Sequence, residues 1–189
     1  MMNRRKVAAL GSALVFSALA FGAPLAAGAA DTSATATITG GNLTFNAVPA
    51  TAGLGVTLNG QDQTATTTNA MDVWDDTGSG AGWNITATST AFKSGSHVMS
   101  NSATTVQDAP IVTGDDGVNT FVPANNVVSY PYTLPAGAVA PTATKIFSAD
   151  IDTGLGHQTA TATMSLFVPR TTYSGVYTST WTYSLVSAP

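Results

Sequence analysis

The sequence predicts an all-β protein: an antiparallel β-sandwich of about eight to ten strands, immunoglobulin-like in general architecture, behind an N-terminal signal peptide. Thr, Ala, Ser, Val and Gly dominate the chain, and charged residues make up only 8% of it. Several segments alternate polar and apolar residues with a period of two, which is typical of antiparallel sheets with one buried side. We see no amphipathic helical pattern after residue 30.

The first thirty residues have the pattern of a secretory signal peptide. Arg4, Arg5 and Lys6 begin it, residues 7–25 are mostly apolar, and small residues at 26–30 suit cleavage. We therefore expect residues 1–30 to be removed and residues 31–189 to be secreted as one domain. The Arg pair leaves twin-arginine export open beside the general route. No second apolar segment is long enough to hold the mature chain in a membrane.

The predicted mature region is acidic. Three basic residues stand against ten aspartates and no glutamate, for a net charge of −7. Nucleic acid is therefore not an expected partner, since its affinity for proteins comes mostly from phosphate neutralisation. The chain has no cysteine, so core packing alone must stabilise an exported fold.

Turn residues divide the mature region into strands. Gly40-Gly41 predicts a hairpin between residues 33–39 and 42–48, and Asn59-Gly60 predicts another between residues 56–58 and 61–68. Alternation is clearest in three later segments. The remaining predicted strands are 83–88, 158–168 and 177–185, with short strands at 110–113 and 126–130 in an irregular middle region.

Catalytic patterns are missing from the sequence. His97 follows Ser-Gly-Ser and His157 follows Gly-Leu-Gly, contexts that suit loops or strand starts, and both are interpreted as solvated loop residues. There is no Gly-x-Ser-x-Gly motif. We therefore expect no enzyme activity and no transition-metal site. Calcium is the one ion left open, since aspartates cluster in turn-like segments, although solvated turn residues are the preferred interpretation. These clusters are Asp72, Asp75 and Asp76, then Asp115 and Asp116, then Asp150 and Asp152.

Two strands carry a tryptophan after a glycine turn. The first is Trp83-Asn84-Ile85, which follows the glycine-rich residues 78–82, and the second is Trp181-Thr182-Tyr183-Ser184-Leu185, which follows Gly175. With the export signal, this pair resembles the WxL family of cell-wall-binding surface proteins over roughly residues 34–189. Ile85 stands where the family has leucine. In the second motif, Leu185 follows Tyr183 rather than a tryptophan.

The resemblance implies a non-enzymatic bacterial surface protein that binds peptidoglycan non-covalently, with other WxL-type surface proteins as further partners. By this resemblance, the residues of the two motifs are the candidate binding residues: Trp83, Asn84, Ile85, Trp181, Tyr183 and Leu185. Their alternation favours core packing for both tryptophans, which leaves the glycine turn, the threonine faces and Trp74 as alternative contacts. A structural subunit of a surface fibre or coat is the alternative function, and a secreted hydrolase is less favoured.

Overall fold

A computed structural model describes residues 32–114 and 121–187. The predicted signal peptide, Asp115, Asp116 and Pro189 lie outside these residues. The described part of the chain confirms the all-β prediction, since it forms twelve strands and contains no helix. Accordingly, no described helix is long and apolar enough to cross a membrane. Four of the strands have only two residues, so eight longer strands match the predicted number.

The strands are named β1 to β12 in chain order. They are β1 (Leu43–Ala47), β2 (Gln63–Asp75), β3 (Trp83–Thr90), β4 (Lys93–Ser94), β5 (His97–Val98), β6 (Thr104–Val106), β7 (Ile111–Gly114), β8 (Tyr132–Thr133), β9 (Ala136–Gly137), β10 (Thr144–Ala149), β11 (Gly156–Val168) and β12 (Trp181–Ser187).

The larger sheet is built around its two longest strands. Its order is β1-β2-β11-β6-β8, and β7 also pairs with β11. Strands β2 and β11 pair along their whole length, from Asp75 opposite Gly156 to Gln63 opposite Val168. Each strand alternates buried apolar residues with more exposed threonines, so this ladder forms one wall of the core and one polar outer face.

The smaller sheet contains both tryptophan strands. Its order is β10-β3-β12, and the two-residue β9 pairs with β3 in parallel, while the other pairings are antiparallel. Ile85 lies opposite Leu185, Trp83 opposite Ser187, and Trp181 opposite Ser89. The two motifs are therefore neighbours in one sheet. Their tryptophans lie at opposite ends of the shared ladder, about 20 Å apart along it at ~3.4 Å per residue.

A single main core joins the two sheets. The larger sheet supplies residues of β2, β6 and β11, and the smaller sheet supplies residues of β3 and β10. Its largest buried side chains include Trp83, Phe147 and Met71. A smaller cluster, with Leu166 and Val168 at its centre, extends this core along β11.

The two hairpin predictions are wrong. Residues 33–39 form no strand. Instead β1 pairs with the C-terminal end of β2, the next strand along the chain, and Gly41 N–H donates to the Asp76 carbonyl at 2.7 Å. Residues 56–58 also form no strand. The Asn59 side chain accepts the Gln61 N–H and makes a local turn that leads directly into β2.

Two further strand predictions need correction. Residues 126–130 are not a strand, because the Asn126 side chain accepts hydrogen bonds from the backbone N–H groups of Val128 and Ser148. Side-chain bonds thus replace a strand ladder in this segment. The last strand begins at Trp181 rather than at residue 177. The preceding segment makes only an isolated bridge, in which Thr178 and Lys93 exchange backbone hydrogen bonds.

Candidate functional site

The first motif tryptophan is a core residue. Trp83 has no solvent exposure, its ring lies 5.8 Å from that of Phe147, and its Nε1 donates to the Gly154 carbonyl at 2.9 Å. Gly154 has a φ of +74°, and a Cβ there would lie 2.6 Å from Trp83 Nε1. Ile85 is fully buried beside it. The prediction that Trp83 packs in the core is confirmed.

Asn84 points to the other face of β3. It is 7% exposed, and its Oδ1 has no hydrogen-bond partner among the described residues. It lines a pocket of about 40 Å³ together with Lys145 and Ser148. A pocket of this size holds roughly one water molecule. The first motif therefore offers no space for a sugar.

The glycine turn before Trp83 packs backbone against backbone. Gly78, Gly80 and Gly82 all have positive φ, which favours glycine. A Cβ on Gly82 would lie 2.4 Å from the Ala149 carbonyl oxygen. This turn therefore brings the start of β3 against the end of β10, as the sequence predicts for close packing beside Trp83.

The second motif lies at the margin of the core. Trp181, Tyr183 and Leu185 share one face of β12, and each is half-buried against the main cluster. Trp181 meets the ring of Phe92 edge-on, at 6.2 Å and 88°. The prediction of core packing is thus only partly right for Trp181. This strand is an edge of the smaller sheet, and beside Trp181 and Tyr183 lie the irregular residues 49–52 and Asn69 of β2.

A groove opens beside these two aromatic residues, and we call it the tryptophan groove. It has a volume of about 370 Å³, which is within the usual range for small-molecule sites of ~300–1,000 Å³. None of the described residues that line it carries a charge. It is lined by residues 49–52, Asn69, Phe92, residues 177–181 and Tyr183.

Asn69 is the groove residue that the sequence analysis missed. It lies on the inner face of β2 and is 2% exposed, and its Nδ2 donates to Tyr183 Oη at 2.6 Å, which joins the two sheets. Burial raises the pKa of Tyr183 to about 12, and the bond from Asn69 partly opposes this. Tyr183 therefore stays a neutral phenol. The sequence could have indicated Asn69 as a buried polar residue, because it alternates in phase with the apolar inner residues Met71 and Val73 of β2.

A second groove continues from the first. It has a volume of about 490 Å³ and shares Phe92 and Tyr177 with the tryptophan groove. Residues 54–58 and 172–177 form much of its lining, which contains no charged side chain among the described residues. The two grooves together offer an elongated, uncharged and aromatic surface.

Trp74 and His157 form a separate pair on the outer face of the larger sheet. Their rings stack at 4.2 Å with an angle of 6°, and His157 Nε2 lies 2.8 Å from Asp76 Oδ1. The loop interpretation of His157 is wrong, because it lies at the start of β11 opposite Trp74, although its side chain is partly exposed. Trp74 itself belongs to β2 rather than to a turn. His97 is exposed in the short β5 and stacks on Tyr173 at 4.1 Å.

The described aspartates mostly serve local structure. Asp75 is buried and accepts hydrogen bonds from the backbone and side chain of Thr77, and Asp72 accepts one from Asn46. Within residues 32–114 and 121–187, no group of three or more His, Asp or Glu side chains is placed to hold a metal ion.

Comparison with known proteins gives one match. A family model described as "WxL domain surface cell wall-binding" matches residues 18–189. Neither the curated proteins nor the solved structures gave a match. The family match spans nearly the whole chain, including both tryptophan strands and every residue of the tryptophan groove. This chain belongs to the WxL domain family of surface cell-wall-binding domains.

Proposed function

We propose that this protein is a non-enzymatic bacterial surface protein that binds peptidoglycan non-covalently through the tryptophan groove. The observation that carries the proposal is the position of Trp181 and Tyr183. Both come from the second motif, and both line an uncharged groove of about 370 Å³. Sugar rings present flat apolar faces and many hydroxyl groups, so a groove with aromatic walls and a few fixed polar groups suits them.

The groove chemistry also favours one class of wall component. Its described lining is uncharged, and the predicted mature chain carries a net charge of −7. Attraction to anionic wall polymers therefore contributes nothing to this mode of binding, and a neutral glycan strand is the better ligand. The protein acts outside the cell, at the wall, where other WxL-type surface proteins are its further proposed partners.

Sedimentation with purified sacculi tests the proposal. Trp181→Ala removes one of the aromatic side chains that line the groove. We expect the affinity for the cell wall to fall roughly tenfold or more, as for an aromatic anchor in a binding site. Trp74→Ala is the matched control, because Trp74 lies on the outer face of the larger sheet. Binding of the wild-type protein is expected to persist in moderate salt, since it does not depend on charge attraction.

Two results would contradict this function. The first is a wild-type protein that stays in the supernatant at every salt and calcium concentration. The second is a Trp74→Ala protein that loses binding while Trp181→Ala keeps it, which would move the site to the outer face. Melting curves of both variants separate lost binding from lost folding.

A fibre or coat subunit remains the second candidate, and a specific surface favours it. We define the threonine face as Thr64, Thr66 and Thr68 of β2 with Thr161 and Thr163 of β11. The three β2 threonines are exposed on the outer side of the larger sheet. Self-association through this face predicts concentration-dependent oligomers in light scattering that Thr66→Lys abolishes. A monomer at all concentrations would remove this candidate.

A further inference from the structure

The wall of the tryptophan groove contains a hydrogen-bond donor and an acceptor that no described residue satisfies. Trp181 Nε1 and Asn69 Oδ1 are both buried and have no hydrogen-bond partner among the described residues. Asn69 is 2% exposed, and both residues line the same groove. Buried polar atoms almost always find partners in folded proteins, because an unpaired one costs free energy.

The two atoms are complementary to a single chemical group. Nε1 of an indole only donates, and Oδ1 of an asparagine only accepts. A secondary amide presents both counterparts, since its carbonyl oxygen accepts and its N–H donates. A carboxylate or phosphate would satisfy Trp181 but would leave Asn69 Oδ1 facing another acceptor.

The other residues of the groove indicate which kind of molecule carries this amide. Phe92, Tyr177 and Tyr183 supply aromatic walls, and the described lining carries no charge. Aromatic faces beside a neutral polar pocket suit a sugar ring that carries an amide substituent. The volume of about 370 Å³ also suits one or two sugar units.

We infer that the tryptophan groove recognises the acetamido group of an N-acetylated sugar. The amide N–H of the ligand donates to Asn69 Oδ1, and its carbonyl accepts from Trp181 Nε1. This inference rests on the proposed function, because it names the part of the wall glycan that the groove binds. It also assigns Asn69, which lies in neither motif, as a binding residue.

The opposite wall of the groove gives a route to these buried atoms. Residues 49–52 have no regular secondary structure, and all but Pro49 are exposed. A segment with few buried contacts opens at lower cost than the paired strands β2 and β12. Entry of the ligand therefore involves displacement of residues 49–52 and leaves the sheets in place.

Calorimetry with two matched sugars tests the inference on the wild-type protein. The probes are tetra-N-acetylchitotetraose and cellotetraose, which have the same β-1,4 chain but differ in an acetamido or a hydroxyl group at each ring. We expect the acetylated sugar to bind at least about tenfold more tightly, which is ~1.4 kcal/mol. Trp181→Phe keeps an aromatic ring and removes the donor, and Asn69→Leu removes the acceptor. Each is expected to abolish this preference.

Controls keep this result separate from the proposed function. Equal affinity for the two sugars, while the wild-type protein still sediments with sacculi, would overturn the acetamido assignment and leave wall binding intact. Absence of sedimentation would overturn wall binding itself. If acetyl-alanyl-alanine methylamide bound more tightly than either sugar, the groove would recognise a peptide amide, which contradicts the assignment of the acetamido group. A preference that survives in Trp181→Phe would also contradict it.

Discussion

Replacement of Trp83 tests whether the first motif serves the fold rather than the ligand. Trp83→Phe keeps a six-membered ring beside Phe147 but removes the Nε1 donor, which leaves the carbonyl of the buried Gly154 without its partner. An unpaired buried group costs about 1–3 kcal/mol, so we expect a loss near 2 kcal/mol. Trp83→Ala also removes the packing, and a loss of roughly 3–5 kcal/mol follows.

Urea unfolding followed by far-UV circular dichroism measures these losses without relying on tryptophan fluorescence. With a typical m value of about 2 kcal/mol/M, Trp83→Phe is expected to lower the unfolding midpoint by roughly 1 M. Trp74→Phe is the matched control outside the core. Wall binding of Trp83→Phe, measured where it is fully folded, should equal that of the wild type. A midpoint shift no larger than that of Trp74→Phe would refute the structural role of Trp83.

Further predictions concern the packing, the pH dependence and the groove. Gly154→Ala places a Cβ 2.4 Å from the Ala149 Cβ at a φ of +74°, and we expect a loss of about 2 kcal/mol or more in urea unfolding. Gly53→Ala, which meets nothing within 4 Å, should stay within about 0.5 kcal/mol. Burial raises the pKa of Tyr183 from 10.0 to about 12. Its neutral form therefore stabilises the fold below pH 10, and this stabilisation is lost as pH rises towards 12; Tyr183→Phe should flatten the fall in stability measured over that range. Trp181→Phe should melt close to the wild-type temperature and sediment less with sacculi, and unchanged sedimentation would count against the groove.

The long strands were predictable from the sequence because burial on one side imposes a period of two. Residues 158–168 alternate cleanly, and β11 follows that pattern over Gly156–Val168. The hairpins were not predictable in the same way. Gly40-Gly41 has the composition of a tight turn, but residues 33–39 form no strand and β1 pairs with the C-terminal end of β2, the next strand along the chain. A two-stranded hairpin is only marginally stable by itself, so packing in the whole sheet decides which segments pair.

The site was only partly predictable for a similar reason. Alternation in β12 correctly placed Trp181, Tyr183 and Leu185 on one face. Alternation could not show that Trp181 lies at the margin of the core beside the irregular residues 49–52, while Trp83 is fully buried. Asn69 contributes through its contact with Tyr183, which is 114 residues away. The alternation of β2 places Asn69 on the inner face, but it does not identify the residue that Asn69 contacts across the core.

The tryptophan indole signals give the most direct test of the binding site. The chain has three tryptophans, so a ¹⁵N-labelled protein shows three indole N–H resonances, which single Trp→Phe variants assign. During titration with soluble peptidoglycan fragments released by muramidase, we expect the Trp181 resonance to shift. The Trp83 and Trp74 resonances should stay in place. A shift of Trp74 or Trp83 with a stationary Trp181 would contradict binding in the tryptophan groove.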